Sequence, residues 1–111
     1  MAKDRIYSSY TRAAASLLGK QIRLGRKQRK WTEQELAQRA GMSRATLQKI
    51  EKGELSVALG LVFEVASLVG MPLFDSGSTG LASHIARIDD KLALLPSAVR
   101  KQGKAQVDDD F

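Results

Sequence analysis

Polar side chains recur at helical spacing in residues 41–53, which read GMSRATLQKIEKG. A serine near the start of this stretch and a glycine at its end are typical boundaries of a short helix. Such a helix would expose Arg44, Thr46, Gln48, Lys49 and Lys52. Arginine, glutamine and lysine side chains donate hydrogen bonds, so this surface could read DNA. The alternative is an amphipathic helix that only covers a core, because Leu47 and Ile50 lie three residues apart.

A tight corner between two short helices is predicted around this stretch. Thr32, with a glutamate three residues later, forms a capping box for a helix over residues 33–40. Gly41 ends that helix and allows the positive φ that such a turn needs. Ser43 caps the next helix, over residues 44–52. Two helices joined this closely are typical of a helix-turn-helix, whose second helix enters the major groove of DNA.

Three further helices are predicted over residues 12–29, 57–69 and 81–95. In the first of them, Ala14, Leu18 and Ile22 lie four residues apart on one apolar stripe. Its other face is predicted to carry Lys20, Arg23, Arg26, Lys27, Arg29 and Lys30. The last helix has its apolar residues at three-to-four spacing, at Leu81, Ile85, Ile88, Leu92 and Leu95. No strand-like alternation is present, so the sequence predicts an all-α fold of five helices.

The helix predicted over residues 57–69, with Ser56 as its cap, has ten apolar residues among 13. A helix that is apolar nearly all round needs burial on more than one face. Because a domain of this size rarely encloses a helix, we predict a homodimer interface that includes Val62, Phe63 and Phe74. The alternative is a central core helix in a monomer.

Basic residues are concentrated in the first half of the chain. Residues 1–52 hold 13 Lys and Arg against 4 Asp and Glu, whereas residues 53–111 hold 5 against 8. A basic half of this kind suits a polyanion such as nucleic acid. It is also compatible with a solvated basic face that binds nothing.

Other classes of protein find little support in the sequence. The 111 residues include no cysteine, so disulfides and thiolate metal sites are excluded. Residues 1–12 are polar and no apolar stretch reaches membrane-spanning length, so a cytoplasmic protein is expected. His84, the only histidine, has no acid at helical metal-binding spacing and is expected on the surface. No catalytic constellation or phosphate-binding glycine loop is present, so neither an enzyme nor a cofactor is expected.

The segment LLGKQIRLGRKQRKWTEQELAQRAGMSRATLQKIEKGE resembles the XRE/Cro-type helix-turn-helix family of repressors, and the resemblance covers residues 14–74. It implies a lambda-repressor-like domain over residues 11–75. The expected flanking parts are a flexible N-terminus (1–10), an additional helix (76–99) and a disordered tail (100–111).

The resemblance assigns roles to individual residues. It implies base contacts from Arg44, Ala45, Gln48 and Lys49, and phosphate contacts from Arg23, Gln34, Ser43, Thr46 and Lys52. Substitutions of Lys27 or Arg26 are expected to weaken binding to every DNA sequence. Glu33 departs from the family pattern, since the usual residue after the threonine cap is a glutamine that contacts a phosphate. A carboxylate there would repel a phosphate, and Gln34 is the candidate substitute.

A narrower resemblance concerns residues 56–74, SVALGLVFEVASLVGMPLF, and the VDDDF end, which resemble HipB-like antitoxins. These are DNA-binding partners of HipA-like kinase toxins. The prediction is therefore a homodimeric repressor that binds an inverted-repeat operator, regulates its own operon and neutralises a HipA-like kinase. The alternatives are a stand-alone phage-like repressor and a protein-interaction adaptor that does not bind DNA. The tail Asp108–Phe111 is either a solvated end, a docking peptide or a shield for the basic face.

Overall fold

The computed structural model describes residues 5–74, 80–99 and 101. Within these residues it contains five helices and no strand, which confirms the predicted all-α fold. The helices are α1 (Ser9–Gln28), α2 (Glu33–Ala40), α3 (Arg44–Glu51), α4 (Leu59–Leu68) and α5 (Gly80–Ala93). Residues 5–73 form one compact unit, and α5 lies in a second. Most of the predicted loop 75–80 and of the predicted tail 100–111 lies outside the described residues.

The corner between α2 and α3 is held by the predicted caps. The Thr32 hydroxyl accepts a hydrogen bond from the Glu35 amide at 3.1 Å, and the Thr32 amide donates to the Glu35 carboxylate at 2.8 Å. Gly41 has a left-handed φ of 72°, which a residue with a side chain rarely adopts. The Ser43 hydroxyl then accepts from the Thr46 amide at 3.1 Å. The predicted start of each helix and the end of α2 are therefore confirmed, and α3 ends one residue early.

The other helix boundaries differ from the prediction for local reasons. The helix α1 begins three residues early because the Ser8 hydroxyl accepts from the Thr11 amide at 3.1 Å. The predicted cap Ser56 is wrong, because α4 begins at Leu59 and follows Ala58 without a side-chain cap. The helix α5 ends at Ala93, before the predicted Leu95, where the chain approaches Pro96 and the helical conformation is disfavoured.

The core lies between α1, α2, α3 and α4. Its buried residues are Ile22, Leu36, Ala37, Leu47, Ile50, Val65, Ala66 and Val69. Ala14, which was predicted to lie on the inner stripe of α1, is exposed. The stripe instead runs through Gly19, Ile22 and Arg26, which are the buried residues of α1. Within the described residues, no helix combines the length and apolarity that are needed to cross a membrane.

The crossing of α1 and α3 brings two backbones into close approach. A Cβ atom added at Gly19 would lie 2.5 Å from the Ile50 carbonyl oxygen and 2.6 Å from the Glu51 carbonyl oxygen. Only a glycine fits this approach without a shift of one helix. The end of α3 is therefore held directly against α1, and this contact fixes the position of the whole helix.

Candidate nucleic-acid interface

The helix α3 divides its residues between the core and the surface. Leu47 and Ile50 are buried, whereas Arg44, Ala45 and Lys49 are exposed. The interpretation as a core helix is therefore confirmed for one face, and the DNA-reading interpretation stays a prediction for the other. One face anchors the helix in the core, and the opposite face exposes the hydrogen-bond donors of Arg44 and Lys49.

Glu33, at the first turn of α2, contacts two of the four predicted base-reading residues. One of its carboxylate oxygens accepts from Arg44 Nε at 3.1 Å and from Gln48 Nε2 at 3.0 Å. The Arg44 side chain remains 59% exposed, so its guanidinium can still reach a ligand. The residue that departs from the family pattern therefore holds the N-terminal part of α3 in a fixed arrangement. The sequence showed the unusual acid but not its partners, which lie 11 and 15 residues away.

The same contacts stabilise the ionised form of Glu33. The hydrogen bond from Gln48 and then that from Arg44 lower the pKa of Glu33 below its ordinary value of 4.5. A lowered pKa in the folded state means that this contribution to stability is fully present above pH 4.5. This stabilisation is lost as the pH falls through the lower pKa that Glu33 has in the folded state. At neutral pH a negative charge therefore sits beside Arg44.

A buried ion pair joins α1 to the last turn of α3. Arg26 and Glu51 are 6% and 3% exposed. Arg26 Nε and one of its terminal nitrogens donate to the two Glu51 carboxylate oxygens at 2.7 and 3.0 Å. A third donor bonds the Trp31 carbonyl oxygen at 3.1 Å. The hydrogen bond with Glu51 raises the pKa of the Arg26 guanidinium, so this buried arginine stays charged.

The prediction that Arg26 is an outward-facing cation on α1 is therefore wrong. It lies four residues after Ile22, on the stripe that faces the core. Arg29 is also structural, because it donates to the Val69 carbonyl oxygen at 2.6 Å, just after α4. The predicted cations that remain exposed on or beside α1 are Lys20, Arg23, Lys27, Arg29 and Lys30. Arg23 is 47% exposed although its Nε lies 3.5 Å from Glu51.

The predicted phosphate-contacting residues lie in different surroundings. Gln34 and Lys52 are exposed. Ser43 and Thr46 are joined at the start of α3, where the Ser43 hydroxyl donates to the Thr46 hydroxyl at 3.0 Å. This bond leaves the Thr46 hydroxyl proton available to an acceptor such as a phosphate oxygen.

The three residues predicted at the dimer interface also lie in different surroundings. Val62 is half-buried and packs against the core, while Phe63 on α4 is 36% exposed. Phe74 is 57% exposed and belongs to the second unit. His84 lies on α5, and the described residues contain no group of three metal-ligating side chains around it or elsewhere.

Comparison with known families agrees with this geometry. Residues 22–75 match the model of the helix-turn-helix family HTH_3, a span that runs from the middle of α1 past the end of α4. Comparison with curated proteins gives no match. The matched span contains the capped α2–α3 corner and its core contacts, so its described residues have a helix-turn-helix fold, which is common among DNA-binding transcription regulators.

Proposed function

We propose that this protein is a transcriptional repressor that binds operator DNA with α3. The observation that carries the proposal is the two-sided character of α3. Leu47 and Ile50 fix it in the core, and Arg44, Ala45 and Lys49 are exposed on its other side. In a helix-turn-helix, residues near the start of the second helix contact the edges of bases.

Each exposed residue of α3 suits a particular part of the major groove. Arg44 can donate two hydrogen bonds to a guanine edge, and the Ala45 methyl can contact a thymine methyl group. Gln48 and Lys49 follow one helical turn later, where they can contact bases at the rim of the major groove. Phosphate contacts are proposed for Arg23, Gln34, Ser43, Thr46 and Lys52. These contacts position the helix but carry no sequence information.

The proposed operator is an inverted repeat bound by a homodimer. Two copies of α3 related by a two-fold axis would enter major grooves about 34 Å apart. The apolar residues Val62 and Phe63 on α4, together with Phe74, are the interface residues expected from the sequence. Autoregulation follows if the operator overlaps the promoter of the protein's own operon.

The first test is binding to the protein's own promoter. A labelled promoter fragment and a scrambled fragment of equal length are titrated at roughly 50 and 200 mM salt. Selective binding that weakens strongly with salt is expected, and a footprint should show two half-sites. Equal binding to both fragments would contradict a sequence-specific repressor, and binding to neither would favour the protein-interaction adaptor.

Lys27→Gln is expected to weaken binding to the operator and to scrambled DNA by the same factor. Lys27 is exposed at the last turn of α1, where a cation suits a phosphate and not a base. The slope of log affinity against log salt should fall by about 1, because one fewer counterion is released. Lys101→Gln removes the same charge from an exposed position in the second unit and should leave the slope unchanged. If the slope of log affinity against log salt is the same for both variants, Lys27 does not contact the DNA phosphates.

Glu33→Gln is expected to strengthen binding to every DNA sequence by about two- to fivefold. The variant removes a negative charge near the phosphates, which is equivalent to about 0.5–1 kcal/mol at solvent-screened distances. Its amide oxygen can still accept from Arg44 and Gln48, so the order of preferred sequences should not change. Titration of labelled operator DNA measures this, with Glu64→Gln on the exposed surface of α4 as the control. A loss of affinity would mean that the carboxylate assists binding.

A narrower proposal is that the repressor is also an antitoxin. Its support is the resemblance of residues 56–74 and of the VDDDF end to HipB-like antitoxins. Co-expression with an adjacent kinase-like gene, followed by purification through a tag on one partner, tests it. Co-purification and loss of kinase activity are expected. If the protein binds its promoter tightly but captures no kinase, the result would instead indicate a stand-alone repressor.

A further inference from the structure

The outer face of α1 carries three large exposed side chains at equal spacing. Tyr10, Leu17 and Leu24, here called the outer stripe, are 82%, 59% and 57% exposed and follow one another at intervals of seven residues. Seven residues are nearly two helical turns, so the three side chains lie on one face. That face is opposite the core, because Leu24 lies two residues, or about 200°, after the buried Ile22. The packing of α1 into the core therefore leaves the outer stripe uncovered.

The outer stripe is free of charge, although α1 as a whole is basic. The helix contains no acidic residue, and its cations lie on other faces. The residues between and beside the members of the stripe are exposed but small or neutral, namely Ala13, Ala14, Gln21 and Gln28. A contiguous exposed apolar surface marks an interaction site more often than chance. The outer stripe therefore has the character of a protein contact, in contrast to the cationic side of the same helix.

The spacing of the outer stripe specifies the helix that would cover it. An exact repeat of seven is one seam position of a left-handed coiled coil, and its partner needs the same repeat. A second copy of α1 has that repeat. The stripe is also symmetric about its centre, since Leu17 lies seven residues from both Tyr10 and Leu24. In an antiparallel pair with its two-fold axis at Leu17, Tyr10 of each copy meets Leu24 of the other.

The distribution of cations on α1 favours the antiparallel orientation. Lys20 and Lys27, which border the outer stripe, both lie in the second half of the helix. In a parallel pair each of these lysines would face its own equivalent, and such like charges repel. In an antiparallel pair, Lys20 of one copy lies beside Ala14 of the other. The two helix dipoles are then also opposed, which removes a second repulsion.

The size of the outer stripe indicates how strong such a pair can be. A stable interface buries about 800 Å² on each partner, whereas interfaces well below that size belong to weak or transient complexes. Three large side chains and the small residues between them supply only part of that area. A weak contact becomes effective when the two copies are already held close together, as on one DNA molecule.

We propose that the outer stripe joins neighbouring copies of this chain on DNA, through antiparallel pairing of α1 with α1. Leu17 forms the centre of the contact, and Tyr10 and Leu24 form its two ends. The DNA-bound role rests on the proposed function, and it is distinct from the two-fold interface proposed there around Val62 and Phe63. The pairing itself can be measured without DNA.

Leu17→Glu in the full chain tests the pairing. In sedimentation velocity over a rising concentration series, the average mass of the wild type should approach twice that of the variant. The association constant should fall at least about tenfold, because two carboxylates replace two leucines at the centre of the contact. Leu94→Glu makes the same substitution at a leucine that is 85% exposed in the second unit, and should behave as the wild type. Equal masses for the wild type and Leu17→Glu at every concentration would overturn the proposal.

The absence of cysteine from the chain allows a test of orientation. Under mild oxidation Leu17→Cys should give disulfide-linked pairs, because only the residue on the two-fold axis meets its own equivalent. Tyr10→Cys and Leu24→Cys should each remain largely unlinked alone, but the chain that carries both should link. Equal linkage of all three single variants would indicate a parallel pair or random collision, and either would overturn the antiparallel arrangement.

Two operators on one DNA fragment, separated by a series of spacers, test the DNA-bound role. At a favoured spacer, occupation of one operator by the wild type should raise the affinity of the other at least about fivefold. Leu17→Glu should fill the two operators independently, with unchanged affinity for a single operator. Independent filling by the wild type at every spacer would overturn the proposal.

Failure of this proposal can be distinguished from failure of the proposed function. If Leu17→Cys forms linked pairs but the wild type binds no promoter DNA, the repressor proposal fails and the α1 pairing stands. If the wild type binds its operator but matches Leu17→Glu in mass and in filling of paired operators, the α1 proposal fails alone.

Discussion

Glu51→Ala is expected to lower the free energy of unfolding by about 3–5 kcal/mol. The substitution would leave the Arg26 guanidinium at 6% exposure with the Trp31 carbonyl oxygen as its remaining hydrogen-bond partner within the core. A buried charge without a counterion is costly, and arginine cannot lose its proton at accessible pH. Small domains have about 5–15 kcal/mol of total stability. The loss would therefore bring the domain close to unfolding.

Urea denaturation followed by circular dichroism measures this loss, and a matched double variant identifies its cause. Replacing both partners, as Arg26→Met with Glu51→Leu, removes the charges together and should recover most of the stability. With the single variants Arg26→Met and Glu51→Leu, this double variant completes a thermodynamic cycle. A change below about 1 kcal/mol for Glu51→Ala would mean that Arg26 reaches solvent when its partner is removed. In that case the pair would not be the link that holds the end of α3.

The helix-turn-helix corner was predictable because its signals act over a few residues. The Thr32 hydroxyl accepts a hydrogen bond from the amide of Glu35, three residues later. The turn at Gly41 depends on the positive φ of that one residue. The start of α4 was predicted wrongly for the complementary reason. Ser56 has a residue type that caps helices, but Val57 packs against the core and the helix begins only at Leu59. Tertiary packing, which no local pattern records, decided that boundary.

The contacts that organise the candidate interface join residues far apart in the chain. Arg26 and Glu51 are 25 residues apart, and Glu33 and Arg44 are 11 apart across the corner. Their pairing depends on the angle and offset at which two helices cross, so composition and spacing could not predict it. Arg26 is a partial exception, because its position four residues after Ile22 placed it on the buried stripe. A buried arginine requires an acid, and Glu51 is the acid that the fold supplies.

The apolar spacing of α5 predicted a helix correctly but not its surroundings. The same three-to-four repeat suits a helix that packs within its own chain and one that packs against another chain. Spacing alone therefore predicts the element but not the surface that its apolar face contacts.

Arg44→Ala is expected to cost about 1–3 kcal/mol of operator affinity and to relax the preference at one base pair. The lost groups are the guanidinium donors proposed to bond a guanine edge. Competition titrations with operators altered at single positions measure both effects. Lys52→Ala, a proposed phosphate contact, should weaken all operators alike and serves as the control. Unchanged affinity and unchanged base preference in Arg44→Ala would exclude a base-reading role.

The effect of Arg44→Ala should also depend on Glu33. In the wild type, Arg44 neutralises the Glu33 carboxylate at 3.1 Å, so its removal leaves that charge facing the DNA phosphates with Gln48 as its remaining side-chain partner. Part of the measured loss is then repulsion, and this part is absent from a Glu33→Gln background. Arg44→Ala should therefore cost less affinity in that background, while the base preference should relax equally in both. If the two costs are equal, Glu33 does not act on DNA through its charge. If base preference relaxes in only one background, Glu33 helps to set the orientation in which Arg44 reads its base.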